Sequence, residues 1–228
     1  MLYVGNATQL LGHLGSVSES APGHMRFETS ALSRVILLQP RDRVDDLLAA
    51  SSRRVTVEDS FGTSEPPAIP GIRTLRMPIM DRPPAAIEDS RPVSVTRAGD
   101  LDELAEAEHV IVHGFPQKVH QPYVRGQALP PHVLGIPGWS AWLARRDGVP
   151  AAAGFSYDDG KAVGIYWLAT LPEHRSHGLG RAIMTRILAA HPDRTATLVS
   201  TEAGEPLYRS LGFVTVSTAV WYLLSPTS

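Results

Sequence analysis

The chain has 228 residues and a formal net charge of −2, which excludes a general attraction to nucleic acid or to anionic membranes. Cysteine is absent, so disulfides, thiol catalysis and cysteine-ligated metals are excluded as well. No apolar run approaches bilayer-spanning length, and the first residues lack the regions of a signal peptide. We therefore expect a cytoplasmic protein with neither a membrane nor a nucleic-acid partner.

The N-terminal part, residues 1–91, is predicted to be an α/β extension. Prolines are frequent between residues 60 and 92 and favour a domain boundary at 85–92. No glycine-rich anion loop occurs before this boundary, so we expect no cofactor site there. Apolar patterning predicts strands at 34–38, 53–58 and 72–77, with a short helix over 40–50.

The next part alternates strands and helices in the order of a mixed α/β domain. A helix is predicted over 101–113, with Asp100 or Asp102 as its N-terminal cap. Residues 118–138 contain four prolines, which interrupt regular secondary structure, and are predicted to be irregular. Strands are predicted at 93–96, 140–145, 149–157 and 163–170, with tight turns at Asp147-Gly148 and at 158–160.

The segment that follows the strand ending at Thr170 is typical of an anion-binding site. A short loop over 171–177 leads into the pattern Arg175-x-x-Gly178-x-Gly180, which begins a helix with apolar residues at helical spacing. A helix start offers unpaired N–H groups and the positive end of the helix dipole. Glycine lets a phosphate approach the backbone, and Arg175 adds a cation. The segment therefore predicts a pyrophosphate site.

Two common nucleotide motifs do not fit this segment. A P-loop needs Gly-Lys-Ser/Thr at the helix start, whereas Gly180 is followed by Arg181-Ala182. The dinucleotide fingerprint needs a third glycine, which is absent. What remains, Arg-x-x-Gly-x-Gly after a strand and before an amphipathic helix, resembles the acetyl-CoA motif of the GNAT superfamily of N-acyltransferases.

A second match lies about twenty-five residues further on, and the span 92–228 that holds both has the length of one domain. A short strand is predicted at 197–200, and Leu207-Tyr208-x-x-Leu211-Gly212-Phe213 is similar to the helix-turn-strand element that follows the cofactor helix in GNAT proteins. Gly212 suits a left-handed helix end, and two final strands are predicted at 213–216 and 219–224. The resemblance covers residues 92–228, and the N-terminal part can be a degenerate half of a second GNAT unit.

The resemblance implies a GNAT fold, a mixed and splayed sheet flanked by helices, with acetyl-CoA as cosubstrate and no metal. Pantetheine would lie between the strands at 164–170 and 197–200, and one backbone N–H of the first strand would polarise the thioester carbonyl. Thr201 stands where many relatives have asparagine. The cofactor-binding residues implied are Leu168, Ala169, Thr170, Arg175, Ser176, His177, Gly178, Leu179, Gly180, Arg181 and Thr201.

Tyr208 matches the tyrosine that protonates the leaving thiolate in many relatives, and a phenol pKa just above that of a thiol suits this role. The alternative is a tyrosine packed on the sheet. The general base is open, because the strand at 164–170 carries no Asp or Glu. A water relay, a histidine of residues 113–132 and an acceptor that is already neutral are the three possibilities.

Other polar residues are predicted to have ordinary roles. His109 and His113 share one helical face, but no third metal ligand is indicated. His174 and His177 flank the anion loop and are expected to be exposed. The acidic residues between Asp100 and Glu108 are expected to form a solvated helix face.

Two classes of function fit these patterns. The first is an N-acetyltransferase that acts on a primary amine of a small molecule or peptide; a wider pocket would admit succinyl or longer acyl groups. The second is a GNAT-fold acyl-CoA-binding or regulatory protein without catalysis. A homodimer is an open alternative to a monomer.

Overall fold

The computed structural model describes residues 1–87, 93–115 and 118–225. Within these ranges the helices are α1 (Leu2–Leu14), α2 (Asp45–Ala49), α3 (Leu101–Gly114), α4 (Leu179–Ala190) and α5 (Glu205–Arg209). The strands are β1 (Ser16–Ala21), β2 (His24–Glu28), β3 (Ser33–Leu37), β4 (Val55–Asp59), β5 (Arg73–Arg82), β6 (Val95–Arg97), β7 (Trp139–Arg146), β8 (Val149–Asp158), β9 (Ala162–Thr170), β10 (Thr195–Val199) and β11 (Val214–Leu224). The predicted α/β class is confirmed.

The chain divides into two compact units, one of Met1–Asp81 with the segment from Val199 onward and one of Arg82–Leu198. The predicted boundary at 85–92 falls largely on residues 88–92, outside the described residues. The division into 1–91 and 92–228 stays a prediction. In the described part of the chain, no helix has the length and apolar character needed to cross a membrane.

The first unit contains strands in the order β1-β2-β3-β4-β11-β5. β3 and β4 are parallel, and the other neighbours in this order are antiparallel. Apolar side chains of β3, β4, α2 and β11 form one buried cluster, which includes Val35, Leu48, Val57 and Tyr222. This cluster explains why the last strand of the chain joins strands from its first third.

The sequence predicted part of this unit correctly. β3 and β4 lie where strands were predicted, whereas α2 is shorter than the predicted helix and β5 runs on through Pro78 to Arg82. The prediction of two C-terminal strands is wrong. β11 is a single strand of 11 residues with an irregularity between Thr215 and Ser217 in its pairing with β5, because a bulge bends a strand without ending it.

α1, β1 and β2 were not predicted. The helix carries no side-chain cap at its start, and the residues of β1 are nearly all exposed and mostly polar, so neither element has a strong local signal. Tertiary contacts hold α1 instead. Its Tyr3 hydroxyl donates to the fully buried carboxylate of Glu58, 3.3 Å away, and Glu58 also pairs with Arg34 of β3.

The second unit contains strands in the order β10-β9-β8-β7-β6. β10 and β9 are parallel, and the others are antiparallel. α3 and α4 pack on this sheet through apolar faces that include Val110, Ile111, Ile183 and Ile187, all fully buried. Each predicted strand and helix of residues 93–190 is present within a few residues of its predicted bounds.

Local signals explain this success. Asp147 and Gly148 have φ values of +52° and +80°, as a two-residue hairpin turn requires. At the start of α3, the predicted cap is Asp100, whose carboxylate accepts from the amides of Asp102 and Glu103, both at 2.9 Å.

Replacing the cap Asp100→Ala should lower the free energy of unfolding by about 1 kcal/mol, because two amides of the first turn lose their acceptor. Chemical denaturation measures the change. Asp100→Ser keeps an acceptor and serves as the matched control. Equal destabilisation by the two variants would show that capping is not the cause.

Candidate active site

The parallel ladder between β9 and β10 is short. Its register contains three pairs, the last of which joins Gly164 to Thr197, although β9 continues to Thr170. From Ile165 onward, the residues of β9 therefore have no paired residue on β10 in this register. The predicted separation of the two strands is present at this position.

A bulge shapes the same half of β9. Ala153 of β8 faces Ala169, but Phe155, two residues on, faces Tyr166, three residues away on β9. The extra residue lies at Trp167–Leu168, opposite Gly154. Trp167 has a φ of +50°, in the left-handed region that bulky residues rarely occupy. The bulge turns the backbone at Leu168 and so changes the direction of its N–H and C=O groups.

Two glycines permit close packing around this part of β9. A Cβ on Gly154 would lie 3.1 Å from the Cα of Leu168, and a Cβ on Gly114 would lie 3.1 Å from the carbonyl of Thr170. At either position a Cβ would force the neighbouring backbone to move by a few tenths of an ångström. The sequence indicates neither glycine as part of the site, because close approach between distant segments has no local signature.

The predicted anion loop follows β9 directly. A 3-10 turn over Pro172–His174 leads to Ser176, with φ of +64°, and to Gly178, with φ of +78°, which is the N-terminal residue before α4. The first bond of the helix ladder joins the amide of Ala182 to the carbonyl of Gly178, 3.0 Å apart. The earlier amides of the turn thus precede the helix ladder, as an anion site requires.

Arg175 has a role in this structure that the sequence did not suggest. Its Nε donates to the carbonyl of Thr170 at 3.2 Å, and its Nη2 donates to the carbonyl of Gly114 at 3.1 Å. The guanidinium therefore joins the end of β9 to the end of α3. The positive charge of Arg175 lies in the exposed loop, where it can attract an anion. The two hydrogen bonds also hold the loop in place.

The histidines of the loop differ. His177 is exposed as expected, and its Nδ1 lies 2.7 Å from the carbonyl oxygen of Arg175. His174 is half-buried rather than exposed, and its Nδ1 is buried. The predicted residues Leu168 to Thr170 and Arg175 to Arg181 thus form one continuous strand-turn-helix element of the second unit.

Thr201 and Tyr208 lie together in the first unit. The Thr201 hydroxyl oxygen accepts from the amide of Gly204 at 3.3 Å in the turn before α5. The Tyr208 ring lies over this turn, so a Cβ on Gly204 would be 2.9 Å from the ring. Phe213 meets the same ring edge-on at 5.9 Å. Gly212, with φ of +88°, ends the element in the predicted left-handed conformation.

Burial raises the pKa of Tyr208 to about 12. The side chain is 9% exposed, and the pKa shift comes from removing the phenolate from water. The phenol consequently keeps its proton throughout the physiological pH range.

Glu108 corrects the prediction of a solvated acidic face on α3. Its side chain is 1% exposed. The carboxylate accepts from the amides of Gly126 at 2.6 Å, Ala128 at 2.7 Å and Leu129 at 2.9 Å, and from the Tyr123 hydroxyl at 3.2 Å. These bonds organise the irregular segment predicted between 118 and 138, which is why a charge can be buried here.

His109 and His113 stack with ring centroids 4.1 Å apart, and Nδ1 of His113 lies 2.8 Å from the carbonyl of His109. Across the described ranges, no group of three or more histidine, cysteine or acidic residues could hold a metal ion.

A model of the acetyltransferase (GNAT) domain matches residues 137–215, a span that contains every predicted site residue. This part of the chain is similar to the family of GNAT acetyltransferase domains. No curated protein sequence matches the chain.

Solved structures extend the likeness to the whole chain. A GCN5-related N-acetyltransferase from Kribbella flavida has a TM-score of 0.68 at 19% identity and covers 100% of this chain and 95% of its own. A putative GNAT acetyltransferase from Novosphingobium aromaticivorans has a TM-score of 0.67 at 18% identity, with 99% and 97% covered. A conserved protein of unknown function from Staphylococcus epidermidis has a TM-score of 0.71 at 12% identity, with 93% and 95% covered.

At these identities the likeness shows the fold. The predicted GNAT fold, a mixed sheet flanked by helices with an additional N-terminal α/β part, is confirmed. The domain match supports the acyltransferase class.

Removing the buried carboxylate by Glu108→Ala should lower the free energy of unfolding by about 3 kcal/mol, because three amides and a hydroxyl lose a buried acceptor. Hydrogen exchange should show lost protection at Gly126, Ala128 and Leu129. Glu103→Ala, at a half-buried position of the same helix whose carboxylate accepts from the amide of Gly99, should leave these three amides protected. Unchanged protection in the Glu108 variant would contradict the proposed organising role.

Proposed function

We propose that this protein is an acetyl-CoA-dependent N-acetyltransferase that transfers an acetyl group to a primary amine of a small molecule or peptide. The observation that carries the proposal is the end of the β9–β10 ladder at Gly164, directly before a strand-turn-helix element suited to an anion. A gap between strands next to a helix start matches the two parts of an acyl-CoA, a linear pantetheine arm and a pyrophosphate.

The coenzyme would bind mainly through backbone groups. The amides from Ser176 to Arg181 would hold the pyrophosphate at the start of α4. Pantetheine would lie along Leu168, Ala169 and Thr170, where the bulge at Trp167 turns the strand. A backbone N–H in this half of β9 would donate to the thioester oxygen and stabilise the charge that develops there.

The chemistry follows from a direct attack. The amine nitrogen attacks the thioester carbon, a C–N bond forms, and the C–S bond breaks with its electron pair on sulfur. Tyr208 would donate its proton to the leaving thiolate. The phenol is protonated at neutral pH and so carries the proton that this role needs. Its pKa of about 12 lies further above that of a thiol than the value of a free tyrosine does.

The alternative is an acyl-CoA-binding protein without catalysis. The observation that favours it is the absence of any carboxylate on β9, the strand from which relatives supply a general base.

Thiol release from acetyl-CoA across a panel of amines tests the function. Tyr208→Phe should lower kcat about 100-fold, because the thiolate then leaves without a proton donor. The coenzyme Kd should change little, since the substitution removes one oxygen atom. Turnover by the variant equal to that of the wild type would contradict the acid role, and an inactive wild type that binds the coenzyme tightly would support the alternative.

The bulge can be tested through Gly154→Ala. The new Cβ would press on the backbone of Leu168, 3.1 Å away, and displace it by a few tenths of an ångström. We expect the Kd of acetyl-CoA, measured by calorimetric titration, to rise about tenfold.

Gly135→Ala is the matched control, because nothing lies within 4 Å of a Cβ at that position. An unaltered Kd in the Gly154 variant would show that the coenzyme does not depend on the backbone at Leu168.

A further inference from the structure

His120 is a buried histidine with an unpaired ring nitrogen. The residue ends a 3-10 turn over Lys118–His120 and is 6% exposed. Its Nδ1 is buried and has no hydrogen-bond partner among the described residues. A buried polar atom without a partner costs free energy, so such an atom requires an explanation.

The position of the His120 ring suggests an explanation for its unpaired nitrogen. The His120 imidazole lies against the indole of Trp167, with the centroids 5.8 Å apart. Trp167 is the residue with positive φ at the bulge of β9. Its indole also packs edge-on against the ring of Phe155, with the centroids 5.4 Å apart. His120 thus lies beside the residue that immediately precedes Leu168 to Thr170.

The other histidines of residues 113–132 are placed differently. His113 and His132 are both exposed, and Nδ1 of His113 faces a backbone carbonyl. Of the three, only His120 combines burial with contact to β9.

We propose that His120 is the general base of the reaction and takes a proton from the amine before it attacks the thioester. This inference rests on the proposed acetyl transfer. One proton passes from the ammonium nitrogen to the imidazole, and the nitrogen lone pair then attacks the thioester carbon. The second proton leaves the nitrogen as the amide forms, and solvent takes it; the thiolate receives its proton from the acid described above.

The charge state of His120 suits this role. Burial lowers the pKa of His120 below 6.5, against the opposite influence of Glu108 on α3. β9, which packs against the ring, contributes no acidic or basic residue and has Tyr166 as its one phenol. The imidazole is therefore neutral at pH 7 and can accept a proton, and this capacity is lost as the pH falls through its pKa.

His120→Gln tests the proposal, because glutamine is similar in size and cannot take up the proton. With an alkylamine acceptor, which is protonated at pH 7, kcat should fall about 100-fold. The wild-type kcat should also decline at acidic pH with an apparent pKa below 6.5, and this decline should disappear in the variant. Added imidazole should restore part of the activity of His120→Ala.

Two controls separate a base from a packing residue. His132→Gln replaces an exposed histidine of the same segment and should leave kcat and the pH profile unchanged. The coenzyme Kd and the melting temperature of the His120 variant should stay close to those of the wild type.

A His120→Gln variant with the wild-type kcat and pH profile would overturn the inference. So would a fall in kcat that leaves the acidic decline in place, because a structural role alone would produce that pattern. A wild type that acetylates no amine would instead refute the proposed function, so the two failures can be told apart.

Discussion

The end of the β9–β10 ladder at Gly164 is the constraint on which the rest of the second unit depends. A strand that leaves its partner loses the hydrogen bonds that fix its course, so other contacts must hold it. β8 does so across the bulge, α3 approaches through Gly114, and Arg175 joins the carbonyls of Thr170 and Gly114. These contacts give β9 a defined shape after Gly164, where its ladder with β10 has ended.

The candidate coenzyme site is therefore built mostly from backbone. Its side chains serve to place amides and carbonyls: glycine where segments approach closely, and residues with positive φ where the chain must turn. Arg175 illustrates the principle, because its guanidinium is committed to two carbonyls and still leaves its charge in the loop. Such a site needs little reorganisation when an anion arrives, since its dipoles are already oriented.

Two buried polar residues of the second unit differ in whether their polar atoms have hydrogen-bond partners. Glu108 has four donors around its carboxylate, which is the expected state of a charge that fixes a segment in place. His120 has a buried nitrogen without a partner. The fully hydrogen-bonded carboxylate of Glu108 has a structural role. The unpaired nitrogen of His120 is costly unless a group that arrives from outside pairs with it, which is why His120 rather than Glu108 carries the functional inference.

The sequence by itself determined the features that depend on neighbours along the chain. Helix periodicity and the Asp100 cap predicted α3, the Asp-Gly turn predicted the β7–β8 hairpin, and the glycine pattern predicted the start of α4 after β9. The family resemblance, carried by the glycine pattern of residues 175–180 and by the segment 207–213, pointed to the correct fold.

Only the tertiary structure decided the rest. The positive φ of Trp167, the burial of Glu108 and His120 and the bonds of Arg175 depend on segments far apart in sequence, and no local pattern encodes them. The same holds for α1, which lacks a cap and is held by Tyr3 and Glu58, and for the continuous β11. Short-range signals fix where elements begin and end, whereas packing fixes which of their polar groups are satisfied and which remain for a substrate.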